Sequence, residues 1–159
     1  MTGLFRTLLV VGLMLLVSCA ADEGEIDAGV LNAELARTGY EAFSRGDIDG
    51  VVGLMDPAIV WHEAESLPYG GIYHGPDAVL ENIFMAVGRD WEPYSAIPRK
   101  FIQAGDHVVV LGDYSGTHRE TGRAFAAPFS HVWRFENGLL VEFWQFTDTA
   151  LWLAALEDS

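Results

Sequence analysis

The stretch Phe125–Thr149, FAAPFSHVWRFENGLLVEFWQFTDT, constrains the fold of this chain more than any other. Two aromatic-rich runs flank Glu136-Asn137-Gly138, and Asn-Gly supplies the positive φ angles that a two-residue hairpin needs. Strand alternation puts Phe129, His131, Trp133 and Phe135 on one face and Ser130 and Arg134 on the other. A histidine among three aromatics on a core-directed face predicts the wall of a pocket rather than plain core.

The N-terminus carries a separate signal. Arg6 precedes an apolar run from Thr7 to Val17, too short to span a bilayer and of the length of a signal-peptide core. The run ends at Leu16-Val17-Ser18-Cys19, which resembles the lipobox of bacterial lipoproteins and holds the only cysteine of the 159 residues. The expected organisation is therefore a lipoprotein signal peptide over 1–18, a small acidic tether over 19–27 beginning at lipidated Cys19, and one domain over 28–159. The expected location is the bacterial cell envelope, on the extracytoplasmic side of a membrane. Ser18-Cys19-Ala20 also fits an ordinary cleavage site that would release a secreted protein. With Cys19 in use as an anchor, neither disulfide nor thiol chemistry is left to the fold.

The 23 acidic residues against nine basic ones give a formal net charge of −14. Such an excess argues against nucleic acid, whose phosphates demand a basic surface, and against electrostatic docking on anionic lipid.

In chain order, Val30, Leu31, Leu35, Tyr40 and Phe43 recur at helical spacing and predict a helix from Ala28 to about Ser44. Asp47 is placed to cap a short second helix that Asp56-Pro57 stops. Ala58–Glu65 reads as a strand, Ser66–Gly75 as a loop, and Pro76 as the start of a third helix ending at Gly88. Tyr94–Ala104 reads as a strand that Pro98 confines to an edge or a bulge. His107–His118 alternates cleanly, with Val108, Val110, Tyr114 and His118 on one face. A Thr121-Gly122 turn leads into the opening hairpin, and a short helix closes the chain. Helices followed by a run of strands indicate α+β architecture, a curved antiparallel or mixed sheet wrapped as a cone around N-terminal helices, with a ligand site at its mouth.

The segment YEAFSRGDIDGVVGLMDPAIVWHE, the Tyr73-His74-Gly75-Pro76-Asp77-Ala78 helix entry and the hairpin VWRFENGLLVEFWQFTDT resemble the nuclear-transport-factor-2-like superfamily. They are most similar to its SnoaL-like and ketosteroid-isomerase-like members, over about Leu31 to Leu153. The resemblance implies the cone fold and leaves function open, because this fold hosts both enzymes and non-catalytic binders. It places His62 where isomerases carry a general base on the first strand, puts Gly39 at their helical oxyanion tyrosine, and matches His131 to their protonated aspartate. Asp148 matches the catalytic aspartate of SnoaL-like cyclases.

The residues themselves leave alternatives open. His62 and Glu63 must point to opposite faces of one strand. The alignment favours His62, and the alternation Ile59-Trp61-Glu63 favours Glu63. His118 and His131 fall on the inward faces of neighbouring strands, either as hydrogen-bonded core residues or as a polar cluster with Asp148; Asp148 is equally suited to capping the last helix. A metal held by two histidines with Glu63 or Asp148 lacks any tight ligand motif, so neither metal nor cofactor is expected. Trp61, Tyr114, Phe129 and Trp133 are candidate pocket walls, and Trp144 is placed on the outer face. The expectation is a lipid-anchored domain binding a small hydrophobic or aromatic molecule. If it is catalytic, it works as a cofactor-independent isomerase, cyclase or dehydratase, using acid–base groups drawn from His62, Glu63, His118, His131 and Asp148. The alternative is a non-catalytic envelope module that binds a ligand or forms a homodimer.

Overall fold

The structure, a computed structural model, describes residues 23–157. The predicted signal peptide and Cys19 lie outside the described residues. The first helix, α1 (Glu23–Ser44), begins five residues ahead of the expected start. Its buried stripe also differs. Val30 and Leu31 are about half exposed, whereas Ala33, Ala36, Gly39, Tyr40 and Ala42 face inward. Small residues let α1 lie close to the sheet: a Cβ on Gly39 would come within 3.0 Å of the Trp133 ring. Gly46, at a φ of 73°, ends the turn that follows. The Asp47 carboxylate then caps α2 (Ile48–Val52) by accepting from the Gly50 amide at 2.9 Å.

Six strands form one sheet in the order β2-β1-β6-β5-β4-β3. They are β1 (Met55–Glu63), β2 (Gly71–His74), β3 (Trp91–Ala104), β4 (His107–His118), β5 (Ala124–Glu136) and β6 (Leu139–Thr147). β1 runs parallel to β6, and every other pairing is antiparallel. The short strand β2, inside the segment expected to be loop, borders β1. β3 is an edge strand with bulges between Trp91 and Tyr94 and between Pro98 and Lys100, as its proline predicts. The β5–β6 hairpin turns at Asn137 (φ 51°) and Gly138 (φ 80°), the two positive angles that Asn-Gly favours.

Between β2 and β3 a helical run covers the open side of the cone. It comprises α3 (Pro76–Val79), one wider π-helical turn (Leu80–Phe84) and α4 (Met85–Asp90). A last helix, α5 (Thr149–Leu156), closes the end of the sheet. The concave face, α1 and the helical run share one core in which Ile59, Val79, Val108, Val110, Leu140 and Trp152 are fully buried. No described helix is long and apolar enough to cross a membrane.

Candidate active site

The concave face does not pack solid. A slot of about 70 Å³ remains between β1, β3–β6, α1 and the π-helical turn. Its walls are largely aromatic, from Phe43, Trp61, Phe84, Tyr94, Trp133 and Phe143, and its polar groups are Glu63, Gln145, Tyr114 and His131.

Strand alternation selects Glu63. Ile59, Trp61 and Glu63 are buried in turn, so the last residue of β1 turns its carboxyl inward with 6% exposure. The Trp61 indole donates to Glu63 Oε2 at 2.8 Å, and Gln145 adds a second donor. Neither offsets the loss of water, so burial raises the carboxyl to about 7. Of the two residues left open by the sequence, Glu63 is the one that faces the slot. His62 points to the convex face, where its Nε2 lies 3.1 Å from Glu142 Oε1 and its ring stacks on Trp144 at 5.2 Å.

His131 is 4% exposed and held from both sides. The Tyr40 hydroxyl lies 2.6 Å from Nδ1, and the Tyr114 hydroxyl lies 2.5 Å from Nε2. Gln145 Nε2 donates to Tyr114 at 3.0 Å, and Gln145 Oε1 accepts from the Ala64 amide at 3.3 Å. A continuous line of side chains therefore runs from Glu63 through Gln145, Tyr114 and His131 to Tyr40. Burial pushes His131 down to about 3, so the imidazole is neutral, with one nitrogen donating and the other accepting. Burial also pushes the Tyr40, Tyr94 and Tyr114 hydroxyls far up. Near pH 7 Glu63 is thus the lining group that can change charge. Trp133 packs beside Tyr40 with ring centroids 5.4 Å apart, and its sealed indole N–H has no well-formed hydrogen bond.

The other predicted residues are not brought together. His131 pairs across the sheet with Val110, whereas His118 lies eight residues further along β4, roughly 26 Å of strand at about 3.3 Å per residue. His118 sits at the rim, against Trp91 and bonded to Thr121. Asp148 is exposed and caps α5, accepting from the Ala150 amide at 3.2 Å. Neither one reaches the slot. Trp61, Tyr114 and Trp133 line it, but Phe129 lies behind it, its ring stacked on His131 at 4.0 Å. Among the described residues, no group of three His, Cys, Asp or Glu converges as a metal site would require.

Sequence reasoning missed Gln145, Tyr94 and the role of Tyr40. Gln145 had a signal: a glutamine two residues beyond Phe143 shares its inward face, where an unpaired amide is costly. Tyr40 was legible as a core residue of α1, but only the packing of α1 on the sheet reveals its bond to His131.

Residues 36–143 match the family model of the SnoaL-like domain. The chain belongs to this family. The SnoaL-like domain is similar in structure to an NTF2-like protein of Burkholderia thailandensis, at 36% identity and a TM-score of 0.77, over 79% of this chain and 97% of that one. It is similar to TerC, crystallised with polyporic acid, at 26% identity and a TM-score of 0.73, over 80% and 99% of the two chains. It is also similar to IdmH of Streptomyces antibioticus, a candidate polyketide cyclase, at 26% identity and a TM-score of 0.64, over 79% and 97%. Among curated proteins, none matches. The fold expected from the sequence, a mixed curved sheet with N-terminal helices, is the fold of this SnoaL-like domain and of its structural neighbours.

Proposed function

We propose that this SnoaL-like domain binds a small apolar or aromatic molecule in the slot and exchanges a proton with it through Glu63. The reaction class would be cofactor-independent isomerisation, cyclisation or dehydration. The observation that carries this reading is one carboxyl, raised to about 7, in the wall of an aromatic-lined hollow. A general base or acid works best with a pKa near the operating pH, and burial has supplied that tuning. Tyr114, steadied by neutral His131 and Gln145, is the hydroxyl placed to polarise an oxygen of the ligand. The candidate cyclase and the polyporic acid complex among the structural neighbours support a ligand of this kind.

The test is deuterium uptake. A panel of small ketones and phenols with weakly acidic C–H bonds is incubated with the protein in heavy water and followed by proton NMR. Catalysed exchange that falls at least about 100-fold in Glu63→Gln, the usual scale for losing an acid–base group, supports the reading. Exchange that is unaffected by that substitution removes Glu63 from the mechanism.

A second reading has its own observation. Leu111, Phe146 and Ile72 are exposed on the convex face, at 39%, 55% and 56%, with Leu111 and Phe146 both paired to Ser130 of β5. This apolar row favours a domain that associates through its outer sheet, and sedimentation measures whether it does. The lipobox-like Leu16-Val17-Ser18-Cys19 supports attachment of the domain to a membrane of the cell envelope through lipidated Cys19. Intact-mass analysis of Cys19→Ser, which would lose the lipid mass, decides that point.

A further inference from the structure

Glu63 poses a problem that its own protein does not solve. Carboxylates are seldom buried unless a cation faces them, because an isolated charge in an apolar medium is costly. Among the described residues no lysine or arginine lines the slot, and no ion pair includes Glu63. His131, the other titratable nitrogen there, is locked between two tyrosine hydroxyls and sealed from water, so it cannot serve as the counter-ion. What surrounds the carboxyl is two N–H donors and a ring of aromatic side chains.

We propose that the slot is a site for small alkylated ammonium ions, with Glu63 as the counter-charge and Trp61, Phe84, Tyr94 and Trp133 as the aromatic wall. Three independent features converge on this ligand class. Aromatic side chains attract a cation through the negative faces of their rings, and walls of this kind recognise quaternary ammonium. The size agrees, since a slot of about 70 Å³ has room for a compact, methyl-coated ion. The long-range field agrees as well: a formal net charge of −14 draws cations toward the protein and repels carboxylates and phosphates. An alkylammonium is an apolar shell around one positive charge, which is what a hollow of aromatic rings and one carboxylate can hold without a water shell. The inference rests on the slot being the ligand site of the proposed function, and not on Glu63 turning over a carbon acid.

The coupling between proton and cation gives the test. Binding requires ionised Glu63, so the apparent affinity scales with the ionised fraction. For a carboxyl at about 7, that fraction rises about thirtyfold between pH 5.5 and 8. Tetramethylammonium carries no proton of its own, so any pH dependence belongs to the protein. Calorimetric titration of the purified full chain is run with tetramethylammonium, with tert-butanol as an uncharged match in size, and with pivalate as an anionic one. The expected result is binding of tetramethylammonium about thirtyfold tighter at pH 8 than at 5.5, proton release at the lower pH, and at least tenfold weaker binding in Glu63→Gln. Pivalate should not bind at either pH.

Equal binding of tert-butanol and tetramethylammonium, or affinity for the ammonium that ignores pH or survives Glu63→Gln, overturns the proposal. The arms also separate it from the proposed reaction. Deuterium uptake by ketones together with no ammonium binding leaves the acid–base reading standing and sinks this one. Ammonium binding without deuterium uptake does the reverse.

Discussion

Replacing Glu63 by glutamine should stabilise the protein at alkaline pH and do nothing comparable in acid. The carboxyl moves from an ordinary value of 4.5 to about 7 on folding, and about 1.4 kcal/mol accompanies each tenfold change. The ionised side chain therefore costs the fold about 3 kcal/mol. The unfolded chain gives up this proton near pH 4.5, while the folded chain keeps it until about 7. Stability is accordingly lost as pH rises through that window, and the full cost persists above it. His131 works in the opposite sense. It falls from 6.5 to about 3 on folding, so the unfolded chain binds the extra proton and stability rises with pH up to the unfolded value. Between about pH 4.5 and 6.5 the two slopes nearly cancel and the wild-type protein should show a plateau. Glu63→Gln removes one slope. Its stability should keep rising to about pH 6.5 and then level, so that its advantage over wild type is about 3 kcal/mol larger at pH 8 than at pH 4.5. Urea unfolding followed by tryptophan fluorescence at half-unit pH intervals reads this difference directly. A gap between the two proteins that stays constant from pH 4.5 to 8 would refute the reasoning, because Glu63 would then titrate alike in both states.

Three further outcomes follow from the geometry. Tyr114→Phe leaves His131 Nε2 unpaired and takes one of two partners from Gln145 Nε2, which keeps Glu63, and one buried group left unpaired should cost roughly 1–3 kcal/mol in denaturant unfolding. Gly112→Ala sets a methyl 2.3 Å from the Phe129 ring and 2.4 Å from the Ile97 carbonyl oxygen; the backbone of β3 must move, and a loss of about 3 kcal/mol is expected from thermal unfolding. His62→Ala, on the convex face, should change stability by less than about 1 kcal/mol and leave deuterium uptake in the slot unchanged, whereas a large loss of uptake would return His62 to the site.

Much of this was legible because strand alternation and turn chemistry are local. Asn137-Gly138 announces its hairpin, Asp47 its helix cap and Pro98 its edge strand, each through the geometry of a few consecutive residues. The sequence left His62 and Glu63 open, and the structure follows the alternation: Trp61 is inward, so the residue two further on is inward too. The alignment missed by one residue, and in a strand one residue is a change of face. What the sequence could not supply was distance along the sheet. His118 and His131 share the inward face of paired strands, yet register places Val110 opposite His131. The stripe on α1 misled for a different reason. Leu31 is larger than Ala33 or Ala36, but this helix is pressed so close to Trp133 and Phe101 that the small side chains fit beneath it and the large one is left outside.

The same register suggests what Glu63 is for. β1 ends there, and the next amide, on Ala64, is taken by the Gln145 side chain. A glutamine at position 63 would keep an oxygen to accept from the Trp61 indole, and it would carry no cost of burying a charge. The carboxyl is therefore not what the fold requires at this point; the fold is less stable for having it, by the same 3 kcal/mol or so at pH 8 that the glutamine variant should recover. The tyrosines and His131 differ in kind, because each is paired within the protein. Glu63 is buried, ionisable near neutrality and without a counter-charge among the described residues, and on the proposed reading its partner is a ligand that enters the slot.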